Sequence, residues 1–361
     1  MKLVVLAQTP PPVHGQSVMV RALVDGLPGA GIDLRHVNLR LSRSAIDIGR
    51  WRPGKILAVL DACVHAVAER FASADTLYYV PAPGKRGALY RDWVVMLFCR
   101  PFFRRLILHW HATGLGEWLR DTATPLERAI TQRLLGGADL ALVLTDRLRG
   151  DADALAAKKV EVVANGVSDP GPPLKRQRIA GSPFTVLFLG LCAEEKGLFD
   201  AIDAVVAANQ TDPARPFHFV AAGAFGDAAT AGRFAALAAK YPAEIRHAGF
   251  VSGAGKQLLW SQCDCICLPS RLGHEGQPLV LLEALCADLP MVATRWRGIP
   301  DTVPSDCSRL VAPGDVEALA AALVDLRANP PAPGVARQHY LDRFTLEHHV
   351  RTLAAAIESI L

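Results

Sequence analysis

The chain has 361 residues, more than one ordinary domain holds, so two domains of similar size are expected. At 51% hydrophobic and 20% charged it is no disordered chain, and a net charge of +4 argues against a histone-like or ribosomal binder of nucleic acid. Eight cysteines fall far short of a disulfide-scaffold density and read as reduced core thiols.

The opening Met1-Lys2-Leu3-Val4-Val5-Leu6-Ala7 begins like a signal peptide but stops at Gln8, too early for an h-region, and reads as a buried first strand. No stretch reaches the roughly 18 uninterrupted apolar residues of a membrane span, so a soluble, cytoplasmic protein is expected. Apolar runs predict strands near 3–7, 76–80, 106–109, 138–144 and 160–164, then 185–189, 218–222, 263–268, 291–294 and 309–311. Lacking polar alternation and separated by helical patterns, they indicate an α/β protein of two doubly wound parallel sheets. Ligands then belong at the carboxyl ends of the strands, in a cleft between the domains.

The break at Ser168-Asp169-Pro170-Gly171-Pro172-Pro173, with the basic Lys175-Arg176-Gln177-Arg178 after it, reads as a linker. The expected organisation is an N-terminal domain at 1–169, a linker at 170–182, a C-terminal domain at 183–340 and a terminal helix within 341–361 that returns to the first domain. Residues 85–105 carry six basic side chains (Lys85, Arg86, Arg91, Arg100, Arg104, Arg105) against Asp92 alone, interleaved with Trp93, Phe98, Phe102 and Phe103. Such a stretch suits either an anionic membrane surface or a packed helix whose arginines snorkel outward. The remainder of the chain is close to charge balance.

In the first half, Val13-His14-Gly15-Gln16-Ser17 opens an apolar helix, where Gly15 would let a phosphate or sugar approach the backbone and Ser17 is a candidate N-cap. His109-Trp110-His111 ends a strand, and its two histidines have no third metal ligand close in sequence. In the second half, Gly190-Leu191-Cys192-Ala193-Glu194-Glu195-Lys196-Gly197 joins a strand to a helix, a sensible anion site that equally fits a capping turn. Glu283 is the only charged side chain of an otherwise apolar helix from 278 to 287, so it needs donors, either a structural arginine or ligand hydroxyls. Cys263, Cys265 and Cys267 read as small core hydrophobes, and Asp151-x-Asp153 as part of a polar helix, not a metal site.

Glu275 and Glu283, separated by seven residues and followed by Ala284-Leu285, resemble the paired-glutamate motif of the retaining nucleotide-sugar glycosyltransferases of the GT-B fold, the group 1 family. Pro269-Ser270 before the pair, Pro290-Met291-Val292-Ala293-Thr294 after it and Gly298-Ile299-Pro300-Asp301 beyond are similar to the family's pattern, and the motifs run in its order over nearly the whole chain. The resemblance implies transfer of a sugar from a nucleotide diphosphate donor to an acceptor hydroxyl with retained configuration, without metal or cofactor. It implies catalytic roles for Glu275 at the donor sugar, for His111 against that sugar and for Lys196 on the departing diphosphate, whose phosphate takes the acceptor's proton. It assigns Glu283 to the ribose, and Gly15, Gly190, Asn165 and the loop Gly276, Gln277, Pro278 and Leu279 to donor binding. Thr145 stands where a serine or threonine is usual. Leu191 stands where an arginine is common, and Arg271 or Arg297 are candidates to supply that contact. The implied acceptor is a saccharide, lipid-linked if 85–105 meets a membrane on its inner face, in surface polysaccharide synthesis. A nucleotide-sugar epimerase of the same fold and a non-catalytic partner of another transferase are the alternatives.

Overall fold

The computed structural model describes residues 2–40, 53–72, 74–174, 181–211 and 216–360. Among these, twelve strands form two six-stranded sheets, every pairing parallel. The first contains β1 (Lys2–Ala7), β2 (Asp33–Asn38), β3 (Thr76–Tyr79), β4 (Arg105–His109), β5 (Leu140–Val143) and β6 (Val160–Val162), in the order β2-β1-β3-β4-β5-β6. The second contains β7 (Phe184–Leu189), β8 (Phe217–Ala222), β9 (Ile245–His247), β10 (Cys265–Leu268), β11 (Met291–Thr294) and β12 (Ser308–Val311), in the order β12-β11-β10-β7-β8-β9. The chain separates into one unit of 1–166 with 346–361 and another of 167–345.

Side chains of a strand alternate between faces, so each sheet needs a core on both sides. In the first unit Val4, Leu6, Leu106 and Leu108 face a layer that includes Ala62 and Ala66 of the helix Pro53–Phe71 and Val95 of the helix Arg86–Cys99. Leu3, Val5, Tyr78 and Ile107 face the other layer, with Val20 and Leu23 of the helix Gly15–Gly26. Leu353, Ala354, Ala356 and Ile357 of the helix Leu346–Glu358 complete that layer. The terminal segment is two helices, Val335–Arg343 in the second unit and Leu346–Glu358 in the first.

β2 and β9 lie outside the apolar runs of the sequence. Both are edge strands with polar or half-exposed residues (Asp33-Leu34-Arg35-His36 and Arg246-His247), so neither shows a continuous apolar run. The start of the expected linker is firmly held: Arg337 Nη2 lies 2.5 Å from Asp169 Oδ2, and Tyr340 donates its hydroxyl to the Val167 carbonyl at 2.9 Å. The basic residues of 175–178 lie outside the described residues.

Asp151 does not sit on a polar surface. It is 3% exposed and accepts the backbone N–H groups of Gly114 (3.0 Å) and Gly116 (2.7 Å), which fixes the turn after β4 to the short helix Gly150–Ala154. All eight cysteines are buried.

Candidate active site

In the second unit the strand order reverses between β7 and β10, the place where doubly wound sheets open a crevice at their carboxyl ends. Lys196 closes a 3-10 turn, Glu194–Lys196, after β7, and Ser270 and Glu275 follow β10. The Lys196 ammonium donates to both carboxylate oxygens of Glu275, at 2.9 and 2.7 Å, and Ser270 Oγ donates to Oε2 at 2.7 Å. Glu275, in the loop between β10 and the next helix, is only 6% exposed. A buried carboxylate is costly without donors, and these two side chains, from either side of the crossover, provide them.

The loop is held from behind. Thr294 Oγ1, at the end of β11, donates to the Ser270 carbonyl at 2.6 Å, and Trp296 Nε1 donates to the Leu272 carbonyl at 2.8 Å. Gly276, Gln277 and Pro278 are buried, and Pro278 is the N-cap of the helix Leu279–Cys286, not its first residue. Gly190, at the end of β7, has φ +139° and leads into the Lys196 turn.

Gly197 shows why lysine is followed by glycine here. Its φ is +79°, and a Cβ at this position would stand 2.2 Å from the Pro269 carbonyl oxygen. The turn therefore lies directly on the loop that carries Ser270. Gly197→Ala combines a backbone penalty of about 1–2 kcal/mol with that overlap, and is expected to lower stability in urea titration by at least this amount. A midpoint equal to that of the parent protein would count against the described turn.

Glu283 is half-buried instead of fully enclosed, because the helix buries Leu281, Leu282, Ala284 and Leu285 and leaves Leu279, Val280 and Glu283 along an open side. Its partner is Lys256 of the helix Gly253–Gln262, at 2.6 Å, not an arginine. Glu275 and Glu283 thus each carry a lysine. Arg271 is drawn to Asp200 (3.0 Å) and Glu194 (3.5 Å), which engages the guanidinium considered for the place left by Leu191. Arg297 lies 5.1 Å over the Trp296 ring, and Leu191 is half exposed.

In the first unit the helix Gly15–Gly26 is capped by His14, not Ser17. Ser17 N–H donates to His14 Nδ1 (3.4 Å) and His14 N–H to Ser17 Oγ (3.1 Å), a reciprocal capping box. Beyond β4, His109 and His111 lie with ring centroids 4.2 Å apart. Tyr78 Oη and His109 Nδ1 are hydrogen-bonded to each other. Burial, and then the positive charge His349 and His14 would carry, push the His111 imidazole down to about 3, opposed by the Asn165 side chain. Burial also holds His109 well below its ordinary value, with His111 and His349 adding to the effect. His349, on the helix Leu346–Glu358, bonds the Ala164 carbonyl through Nδ1 at 2.6 Å. Four buried polar atoms in this region, His109 Nε2, Trp110 Nε1, His111 Nδ1 and Thr145 Oγ1, have no hydrogen-bond partner among the described residues.

Lys196 and Glu275 are therefore brought together, Glu283 stands apart on Lys256, and His111 is brought to Asn165 in the other unit. Sequence reasoning missed Ser270, Lys256, Tyr78 and His349 as supporting residues. Ser270, at a strand end, had a positional signal. The others act across 27 to 185 residues of sequence, which no local pattern displays. Among the described residues no group of three or more His, Cys, Asp or Glu could hold a metal ion, and no helix is long and apolar enough to cross a membrane.

Two six-stranded parallel sheets, each with helices on both faces, define a GT-B protein. HepE of Anabaena, solved with UDP and glucose, aligns over 99% of this chain and 100% of its own with TM-score 0.70 at 17% identity, a likeness of fold. In the second unit, residues 183–329 match the "Glycosyl transferases group 1" family. Glycogen synthase of Mycobacterium tuberculosis is 25% identical over 259 residues, covering 69% of this chain and 61% of its own. The amylovoran biosynthesis glycosyltransferase AmsK of Erwinia amylovora is 28% identical over 175 residues, covering 47% and 42%. The chain thus spans about three fifths or less of the length of these relatives.

Proposed function

We propose that the protein is a glycosyltransferase that moves a sugar from a nucleoside diphosphate donor to a hydroxyl of a saccharide acceptor in polysaccharide biosynthesis, retaining the anomeric configuration. The observation that carries this reading is the Lys196–Glu275–Ser270 arrangement at the switch point of the group 1 domain. An ammonium has three N–H donors. With Glu275 taking Lys196 from one side, a donor remains for an oxygen of the diphosphate, where negative charge grows as the glycosidic bond breaks. Glu275, made rigid by lysine and serine, supports the positive charge developing at the anomeric carbon, and Glu283 faces the ribose hydroxyls from its open side. His111, held neutral, offers a hydrogen bond to the sugar without placing a cation there. In this reading the donor's own phosphate takes the acceptor's proton and no metal is required.

The likeness to HepE, solved with UDP and glucose, favours a uridine diphosphate sugar as the first donor to test, and the polysaccharide-building relatives favour a growing saccharide as acceptor, which we place on a lipid carrier in the cytoplasm. The test is incubation of the full chain with UDP- and GDP-sugars and free or lipid-linked saccharides, following nucleotide release and the configuration of the new bond by NMR. Release coupled to a product of unchanged configuration is the expected result. An inverted product overturns the retaining mechanism, isomerised donor without release points to an epimerase, and donor binding without turnover points to a non-catalytic partner.

A further inference from the structure

The six basic residues of 85–105 are mostly engaged inside the first unit. Arg86 Nε meets Glu127 at 2.8 Å, Arg91 meets the fully buried Asp92 at 2.6 Å, Arg100 donates to the Leu134 and Gly136 carbonyls, and Arg105 meets Asp75 at 3.3 Å. The helix Arg86–Cys99 therefore offers little free charge. An apolar ridge begins instead on the neighbouring helix, Pro53–Phe71, where Leu57, Val64 and Phe71 recur every seven residues and are 70%, 69% and 76% exposed. Seven residues return a helix to nearly the same side, so the three form one stripe about 21 Å long. At its end the Phe71 ring meets the ring of Phe102, 6.1 Å between centroids, in the turn that follows the helix Arg86–Cys99. Arg70 Nε donates to the Phe102 carbonyl at 2.7 Å and fastens the turn to the helix.

The charge beside this aromatic pair is mainly cationic, and the exposed Asp61, one turn from both Leu57 and Val64, is held to His65 at 3.5 Å. Arg70 and the exposed Arg104 flank Phe71 and Phe102 in sequence, while the carboxylates nearest in sequence already have cations, Glu69 with Arg35 (3.8 Å) and Asp75 with Arg105 (3.3 Å). An apolar centre bordered by arginines that pair with no carboxylate among the described residues matches an anionic lipid surface, which accepts aromatic rings at the headgroup level and attracts arginine from the water side. We propose that the stripe Leu57, Val64 and Phe71 with Phe102, bordered by Arg70 and Arg104, is a surface for docking on an anionic bilayer. This proposal stands apart from the proposed transfer reaction and does not depend on it.

The test is flotation of the full chain with vesicles of phosphatidylcholine alone and of phosphatidylcholine with about one third phosphatidylglycerol. The expected result is retention on the anionic vesicles only, falling with added salt. The double change Phe71→Ser with Phe102→Ser is expected to weaken partitioning roughly tenfold or more, and Arg104→Glu by roughly tenfold on anionic vesicles. Circular dichroism and Tm of both variants should match the parent, and Leu57→Ser with Val64→Ser serves as a second apolar variant. Failure to float with either vesicle overturns the proposal, as does undiminished flotation of both apolar variants. A concentration-dependent dimer that the Phe71 and Phe102 changes abolish assigns the ridge to a second copy of the chain and overturns it equally.

Discussion

Glu275→Gln is expected to lower the rate of sugar transfer by about two to three orders of magnitude while changing stability little. Glutamine keeps the size of the side chain, and its amide oxygen still accepts from Lys196 or from Ser270, both of which lie within 2.9 Å of the carboxylate. What it loses is the negative charge proposed to face the anomeric carbon. Lys196→Met separates the two roles of the pair. It leaves a buried carboxylate with Ser270 as its remaining side-chain donor, a loss of about 3 kcal/mol in urea titration. It also removes the cation from the diphosphate side. The two variants should therefore share a defect in nucleotide release and differ in stability. Parent-like turnover by Glu275→Gln would remove Glu275 from the reaction, whatever the behaviour of Lys196→Met.

Acidification to pH 5 is expected to destabilise the first unit before it protonates most carboxylates. His109, His111, His349 and His14 are all held below the ordinary histidine value, with burial the leading cause in each. Their folded forms refuse protons that the unfolded chain takes up near pH 6.5, so stability is full above that pH and declines as pH falls below it. For His111, whose value is pushed down to about 3, the fall from pH 6.5 to 5 removes about 1 kcal/mol once its partly accessible ring is allowed for. His109, fully enclosed, adds to this in the same direction. Glu127, held at about 2 by Arg86, loses its charge only at much lower pH, so the window from 6.5 to 5 isolates the histidines. Urea titrations at pH 7 and pH 5 check this, and His109→Gln should flatten the difference. The same neutrality predicts that His111 adds no inflection to the transfer rate between pH 8 and 6. Equal stability at pH 5 and 7 would contradict the burial of these rings.

The architecture was legible because the eight inner strands are short apolar runs; of the four edge strands, β6 and β12 keep enough apolar residues to show and the more polar β2 and β9 do not. The glutamate pair was legible for another reason, its spacing and neighbours in one continuous segment. The partners of those glutamates were not. Nothing near Lys256 points 27 residues ahead to Glu283, and nothing near Lys196 points 79 residues ahead to Glu275. The apolar helix 278–287 implied full enclosure of Glu283, yet burial of a helix is decided face by face, and Glu283 lies on the open one. Asp151 misled in the opposite sense, since two backbone N–H groups satisfy it where charged side chains were expected to mark a polar surface.

The first unit is assembled from two stretches that the whole of residues 167–345 separates. Leu353, Ala354, Ala356 and Ile357 supply part of one of its two core layers. During synthesis that layer stays open until about 180 further residues have been translated, roughly 10–35 s at ordinary ribosomal rates. The second unit, drawn from one continuous stretch, has all its parts earlier. In order of completion on the ribosome, the domain that starts first closes last, and until then a growing chain exposes an apolar sheet face for chaperones to cover.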